Sequence, residues 1–374
     1  MQTPSIAQHL VFTGTGRWKL ACGPLLLEAA NGDLLCAWLS GGDGEPARDN
    51  CVLLSRSTDR GRTWEEAHVF LPAGEQASAL TSWFTATDGR IVALAASWPA
   101  EKGYTEWFYS RRVSADHGRT WSDPEPIRLH HNRACLHRSV MMSNGERLFL
   151  GSIFDPRPRP LTGPIPALLN ARSEGEAAAI PAVEGEAGPG KFGTHRHGCC
   201  VFVNPDGEGR QFHEYGCIAN RPLGLLEPTV AEIGAGHLVM LMRAEWGGFL
   251  WRADSSDFGR TWTEAWETDI PNPTSLASLA RLPSGRIALI HNATGQKGVF
   301  GTRNPLSIWV SDDGLQTWAM QKDVIATADS YRPASWGAGP DQLAYPEATI
   351  LDGRLVFVYD RNRRDVLFVE TDLK

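Results

Sequence analysis

The sequence predicts an all-β protein, a six-bladed β-propeller of four-stranded antiparallel blades. Two observations carry this prediction: one short phrase recurs along the chain at intervals of about 55 residues, and a glycine hairpin signal recurs in step with it. The composition agrees, because 38 glycines and 14 tryptophans occur among 374 residues with few long helical periods.

The recurring phrase has the form Ser-x-Asp-x-Gly-x-Thr-Trp, as in "SRSTDRGRTW", with two weaker copies. Its aspartates are Asp59, Asp116, Asp206, Asp257 and Asp313. Their spacings of 57, 90, 51 and 56 residues indicate a regular unit with one insertion. We expect each aspartate to cap the N–H groups of its own turn while the tryptophan packs between blades.

The second signal is a short turn with glycine between alternating apolar runs, which is typical of a hairpin. It occurs six times, at Gly32, Gly89, Gly145, Gly236, Gly285 and Gly353. One unit therefore contains a strand, a glycine hairpin, a strand, a loop, a strand, the boxed turn and a strand. We expect one propeller domain over 1–374, with a flexible insertion or lid at 156–192.

The sidedness of these units predicts a functional face. Because about eight to ten residues cross a blade, chain positions opposite the two turns should surround one mouth of the channel. Polar and ionisable residues concentrate at those positions, which predicts a ligand or catalytic site there. The candidates are Trp38, Asp49, His137, His195, His197, Glu227, Arg243, Asn272, Asn292, Arg303 and Tyr345.

The repeated phrase resembles the Asp box of the sialidase (neuraminidase) superfamily, and "LEPTVAEI", "LMR" and "FVYDRNRRDVLFV" are similar to its bacterial BNR-repeat branch. The resemblance implies a six-bladed propeller and an exo-glycoside hydrolase acting on a carboxylate-bearing sugar terminus. It implies that Tyr345 is the nucleophile, that Glu227 assists it, and that Asp49 is the acid. By the same resemblance, Arg243 and Arg303 bind the substrate carboxylate.

The chain departs from the family at one position, since Cys22 stands where the first of three arginines is expected. Arg17 and Arg48 are the nearby arginines that could replace it. Two arginines still suffice to bind a carboxylate, though less tightly than three.

The histidines leave other functions open. His137, His195 or His197 with Tyr345 would suit a lyase that performs β-elimination at a uronate. A third possibility is a glycan-binding propeller without chemistry. In the hydrolase, a histidine such as His137 is the alternative proton donor to Asp49. The remaining candidates are expected to contact substrate: Trp38, His195, His197, Asn272 and Asn292. No cofactor or metal is expected, although His195, His197 and Cys199 alternate along one strand as zinc ligands could.

Charge and composition limit the partners. A net charge of −7 argues against nucleic acid, and no apolar run is long enough for a membrane helix. The sequence shows no secretory signal, and its 7 cysteines lie mostly in apolar runs, so a reducing cytoplasmic location is expected, with secretion as the alternative if a leader was removed. The expected partner is a small acidic oligosaccharide.

Overall fold

The computed structural model describes residues 5–42, 44–99, 107–127, 129, 134–155, 196–218, 224–244, 248–295, 302–327 and 342–373. These ranges contain strands β1–β24, which form six antiparallel sheets of four strands each. The sheets are the blades of a six-bladed propeller, so the predicted fold is confirmed. The expected lid at 156–192 lies outside the described residues.

Each blade runs from an inner to an outer strand. Blade one contains β2 (Leu20–Glu28), β3 (Leu34–Gly41), β4 (Cys51–Ser57) and β5 (His68–Leu71). Blade two contains β6 (Ala77–Thr85), β7 (Ile91–Trp98), β8 (Phe108–Ser114) and β9 (Glu125–Ile127). Blade three contains β10 (Ala134–Met141), β11 (Arg147–Asp155), β12 (Arg196–Val203) and β13 (His213–Ile218).

Blade four contains β14 (Leu225–Gly234), β15 (His237–Ala244), β16 (Phe249–Ser255) and β17 (Trp266–Pro271). Blade five contains β18 (Ser278–Arg281), β19 (Ile287–His291), β20 (Leu306–Ser311) and β21 (Met320–Ile325). Blade six contains β22 (Leu343–Leu351), β23 (Arg354–Arg361), β24 (Asp365–Asp372) and β1 (Ser5–Thr13).

The first strand of the chain closes the ring. β1 pairs antiparallel with β24, from Ser5 opposite Asp372 to Thr13 opposite Asp365. At the end of this pair where β1 stops and β24 begins, Thr13 Oγ1 donates a hydrogen bond of 2.6 Å to the buried Asp365 carboxylate. The last unit needs no boxed turn, because its outer strand comes from the other end of the chain.

The boxed turns join neighbouring blades. Asp59 accepts hydrogen bonds from Thr63 N at 2.9 Å and from Thr63 Oγ1 at 2.6 Å, which satisfies the turn. Gly61 lies directly against the Phe368 ring of blade six, and the Trp64 ring centroid is 5.8 Å from that of Phe368. Each box therefore has two functions: it closes its own turn and packs on the preceding blade.

An ion pair crosses the central channel. Arg138 Nε of blade three lies 2.5 Å from Glu347 Oε2 of blade six, and Arg138 also donates to Ser278 Oγ of blade five and to the Pro346 carbonyl. Arg138 and Glu347 border two cavities, one toward the predicted mouth and one toward the boxed turns. The pair thus forms the floor of the mouth cavity.

Over the described part of the chain, no helix is both long enough and apolar enough to cross a membrane.

Candidate active site

The inner strands of five blades carry a β-bulge at the same height. The register shifts fall between Cys22 and Leu25, Leu80 and Ser82, Leu136 and Arg138, Leu226 and Thr229, and Ala344 and Glu347. The residues at these bulges include Gly23, Thr81, His137, Glu227 and Tyr345, and all five line a cavity of about 170 Å³. A bulge redirects side chains and is common beside active sites. The bulges therefore explain why residues from separate blades point into one space.

Glu227 and Tyr345 occupy equivalent places in blades four and six. Both have a left-handed backbone, with φ of 49° and 52°, and both precede a proline. Such a conformation costs a non-glycine residue about 1–3 kcal/mol and persists where surrounding structure enforces it. Blade one has Gly23, with φ of 58°, at the corresponding place and so has no side chain there.

Glu227 forms a buried ion pair with Arg243. Leu226 of β14 pairs with Arg243 of β15, as expected for residues joined by one hairpin, and Arg243 Nη1 lies 2.7 Å from Glu227 Oε2. Burial raises the pKa of Glu227, but the charge of Arg243 and its hydrogen bond to the carboxylate oppose burial, and the pKa lies below its ordinary value. Glu227 is therefore a carboxylate at neutral pH.

Tyr345 lies between two arginines. The Arg303 guanidinium is 5.6 Å from its ring centroid, and the charge of Arg243 also acts on its hydroxyl and lowers its pKa. Burial and the Glu227 charge raise the pKa of Tyr345 above its ordinary value, against the opposing effect of both arginines. The site thus contains a protonated phenol near an ionised carboxylate.

A turn in the connection from blade four to blade five positions both arginines. Thr274 Oγ1 accepts a hydrogen bond from Arg243 Nε at 3.0 Å, and the Thr274 carbonyl accepts one from Arg303 Nη2 at 2.9 Å. Asn272 holds this turn, since its side chain accepts from Ser275 N at 2.8 Å and donates to Ser275 O at 3.0 Å. Asn272, predicted to contact substrate, is 1% exposed and acts on the arginines through Thr274.

His137 belongs to the same cavity. Its Nε2 lies 2.8 Å from Ser152 Oγ, which also accepts a hydrogen bond of 2.8 Å from Glu227 N. Burial lowers the pKa of His137 to about 4, with Arg138 and Arg243 acting in the same direction and Glu227 opposing. His137 is therefore a neutral imidazole in the cavity wall at neutral pH.

The structure places Trp38 outside the cavity. Its side chain is 1% exposed and packs in the core against Phe12, with ring centroids 4.9 Å apart. The next residue, Leu39, lines the cavity instead. Successive side chains of a strand point to opposite faces, so an error of one position in the strand exchanges a core residue for a cavity residue.

Asn292 is likewise structural in its contacts. Its Nδ2 donates to the Pro305 carbonyl at 2.9 Å and to the Leu343 carbonyl at 3.0 Å. Because Pro305 belongs to blade five and Leu343 begins blade six, Asn292 joins these two blades beside Arg303 and Tyr345.

The loop from β3 to β4 presents a carboxylate that sequence reasoning missed. Glu45 lines the cavity, whereas Asp49 is exposed, accepts a hydrogen bond from Gly42 N at 2.8 Å and is absent from the described cavity lining. The loop folds back on itself, with Ala47 N donating to Asn50 Oδ1 at 2.7 Å. Counting residues back from the boxed turn assumes an extended chain, and that assumption leads to Asp49 rather than Glu45.

The other two histidine candidates are His195 and, within β12, His197. His195 lies outside the described residues, and for His197 the structure describes the backbone alone, which pairs with Phe154. Cys199 is fully buried in the core between blades three and four. In the portion of the chain with described placement, no three His, Cys, Asp or Glu side chains are grouped as metal ligands.

Fold and site together define a sialidase-like β-propeller. The family model of the BNR repeat-like domain matches residues 32–358, and the chain belongs to this family. It is 24% identical over 311 residues to a sialidase of Bacteroides fragilis (strain YCH46), covering 73% of this chain and 49% of that protein. The chain thus spans about half the length of this curated relative.

Solved structures share the fold. A Hadza microbial sialidase superposes with a TM-score of 0.68 at 19% identity, over 94% of this chain and 65% of the other. A protein of unknown function from Dyadobacter fermentans DSM 18053 superposes with a TM-score of 0.71 at 14% identity, over 100% of both chains. At these identities the likeness shows the fold alone.

Proposed function

We propose that this protein is an exo-glycoside hydrolase of the sialidase type that acts on a terminal sugar bearing a carboxylate. The observation that carries the proposal is that Glu227, ion-paired with Arg243 at 2.7 Å, and Tyr345, which lies beside Arg303, line the same cavity. A phenol, a proton acceptor and positive charge are thereby combined within one site, as a tyrosine nucleophile requires.

The two pKa shifts fit a division of roles. Tyr345, whose pKa is raised, keeps its proton until attack, and Glu227, whose pKa is lowered, is an anionic acceptor for that proton. The Tyr345 oxygen then bonds to the anomeric carbon while the glycosidic bond breaks, and water later releases the sugar from tyrosine. The departing oxygen takes a proton from Asp49 of the β3–β4 loop, the acid that the family resemblance implies.

The cavity walls differ in polarity. Blades one to three contribute mainly apolar side chains, including Leu25, Leu39, Leu80, Trp98 and Trp107. The cations Arg243 and Arg303 come from blades four and five and contact the lining residues Glu227 and Tyr345. A cavity of about 170 Å³ with a mainly apolar side, and with two arginines against its lining residues Glu227 and Tyr345, suits a single terminal sugar with a carboxylate at one end.

The test is fluorophore release from 4-methylumbelliferyl sialoside and glucuronide by the wild type and two tyrosine variants. Tyr345→Phe keeps the ring against Arg303 but removes the nucleophile, so kcat should fall by at least about 100-fold. Tyr359→Phe is the matched control, because Tyr359 is also buried but its hydroxyl donates to Gln8 Oε1 at 2.8 Å in blade six. A wild type without release from either substrate, or an active Tyr345→Phe, would overturn the proposal.

A β-eliminating lyase is the second candidate, and the neutral His137 in the cavity wall favours it. In that reaction an arginine neutralises the uronate carboxylate and the neutral His137 removes the C5 proton. The bond from C4 to the departing oxygen then breaks, and the protonated Tyr345 gives that oxygen a proton. Incubation with uronate oligosaccharides distinguishes the two reactions, because elimination creates an unsaturated product that absorbs ultraviolet light and hydrolysis does not. Tight glycan binding without either product would indicate a binding protein instead.

A further inference from the structure

The position of the missing arginine has an unusual environment. Cys22 is 3% exposed, lines the cavity and donates a weak hydrogen bond from Sγ to Glu45 Oε1 at 3.7 Å. Arg17 and Arg48, the neighbours in sequence, are both exposed, and Arg17 stacks on Trp18 at 4.2 Å. Neither arginine therefore replaces the guanidinium that is lacking at this position.

A different arginine reaches Cys22 from the opposite end of the chain. Arg363 lies in the turn between β23 and β24, and its carbonyl accepts a hydrogen bond of 2.8 Å from Ala21 N, so the turn rests directly on β2. Its φ of 54° is left-handed, its side chain is 3% exposed, and its guanidinium binds the Glu45 carboxylate. A strained backbone and a buried cation beside the site indicate a conformation that the surrounding structure enforces.

Arg363 interacts electrostatically with residues of the site, including Cys22 and Tyr345. Burial raises the pKa of Cys22, and among the charges that act on this thiol Arg363 has the largest effect. Burial lowers the pKa of Arg363, but Cys22, Glu45 and Tyr345 outweigh it and hold the pKa well above its ordinary value. Arg303 is near enough for the Arg363 charge to lower its pKa as well.

We propose that Arg363, delivered by blade six, takes the place that Cys22 leaves and joins Arg243 and Arg303 in binding the substrate carboxylate. This inference rests on the proposed function of the site. The three guanidinium groups come from blades four, five and six, and each contacts a residue of the cavity lining: Arg243 contacts Glu227, Arg303 contacts Tyr345 and Arg363 contacts Glu45. The small thiol of Cys22 and the absent side chain of Gly23 leave space on the blade-one side, where a Cβ on Gly23 would meet no atom within 4 Å.

The opposing explanation is that Arg363 is only half of a buried ion pair with Glu45. A readout that a structural role would not change is the preference for a carboxylate over its methyl ester. We would measure binding of 2,3-dehydro-2-deoxy-N-acetylneuraminic acid and of its methyl ester by calorimetry. Arg363→Ala should weaken binding of the acid by about 10- to 100-fold and leave the ester nearly unchanged. Arg364→Ala is the matched control, because Arg364 is in the same turn but pairs with Asp365 at 3.0 Å.

Two further variants keep the inference testable if Arg363→Ala folds poorly. Arg363→Lys retains the charge but loses the planar fork, so the preference for the acid should still decrease. Cys22→Arg combined with Arg363→Ala returns a guanidinium to blade one and should recover at least about tenfold of the lost affinity.

The outcomes separate this inference from the proposed function. A wild type that binds the acid no more tightly than the ester overturns the carboxylate substrate, and the inference with it. A wild type that prefers the acid, with Arg363→Ala and Arg363→Lys keeping the same preference, overturns the inference alone and makes Arg363 structural.

Discussion

Removing either member of the Arg243–Glu227 pair should destabilise the protein by about 3–5 kcal/mol, because the other charge is then left buried without a partner. The pair is 2.7 Å long, and the side chains are 9% and 11% exposed. At an effective permittivity of about 20, two unit charges at this distance attract by about 6 kcal/mol, part of which offsets the cost of desolvating both ions.

The assay is a double-mutant cycle. Arg243→Ala, Glu227→Ala and the double variant are unfolded in urea, and tryptophan fluorescence gives the free energy of unfolding for each. The control cycle uses Arg260 and Glu146, which are 3.0 Å apart but 43% and 38% exposed. The coupling energy of the exposed pair should be about 0.2–1 kcal/mol, since water screens it, and that of the buried pair should be at least about twice as large.

A buried coupling no larger than the exposed one would refute the reasoning. It would mean that water or rearrangement compensates Glu227 when Arg243 is lost. The argument that Arg243 holds Glu227 in its ionised form would then fail, and the proton acceptor for Tyr345 would need another explanation.

Two other predictions concern the blades and the pH dependence. Gly61→Ala should cost about 2–5 kcal/mol, since its Cβ would lie 2.3 Å from the Phe368 ring at a φ of 91°, whereas Gly145→Ala, at a φ of 84° with open space, should cost about 1–2 kcal/mol. If urea unfolding shows that both variants lose the same free energy of unfolding, the packing of the boxed turn on the preceding blade is contradicted. Burial raises the pKa of Asp360 to about 7, so the folded state keeps a proton that the unfolded chain loses near pH 4, and stability should fall as pH rises. Between pH 5 and 7 the loss should be about 2–3 kcal/mol, and Asp360→Asn should remove it; an unchanged slope would contradict the assignment.

Much of the fold could be predicted because its signals are local. A glycine in a hairpin and an aspartate in its own turn need only residues a few positions away, as the bonds from Asp59 to Thr63 show. Regular repetition of these local signals indicates six units and the face on which Glu227, Arg243, Arg303 and Tyr345 meet.

The differences between predicted and observed placement fall where local counting loses accuracy. Trp38 and Leu39 differ by one position, yet strand alternation sends one to the core and the other to the cavity. Glu45 and Asp49 differ by four, and the folded loop presents the first to the cavity. A bulge or a compact loop changes such assignments without leaving a periodic signal in the sequence.

The amino-acid sequence alone thus determined the number of blades, their order and the edge that carries the candidate site, because each unit repeats the same short-range interactions. Only the tertiary structure decided that β1 completes blade six and that Arg363 lies beside Cys22. Both depend on closing a ring between residues more than 300 positions apart, and no local pattern records which residues that closure brings together.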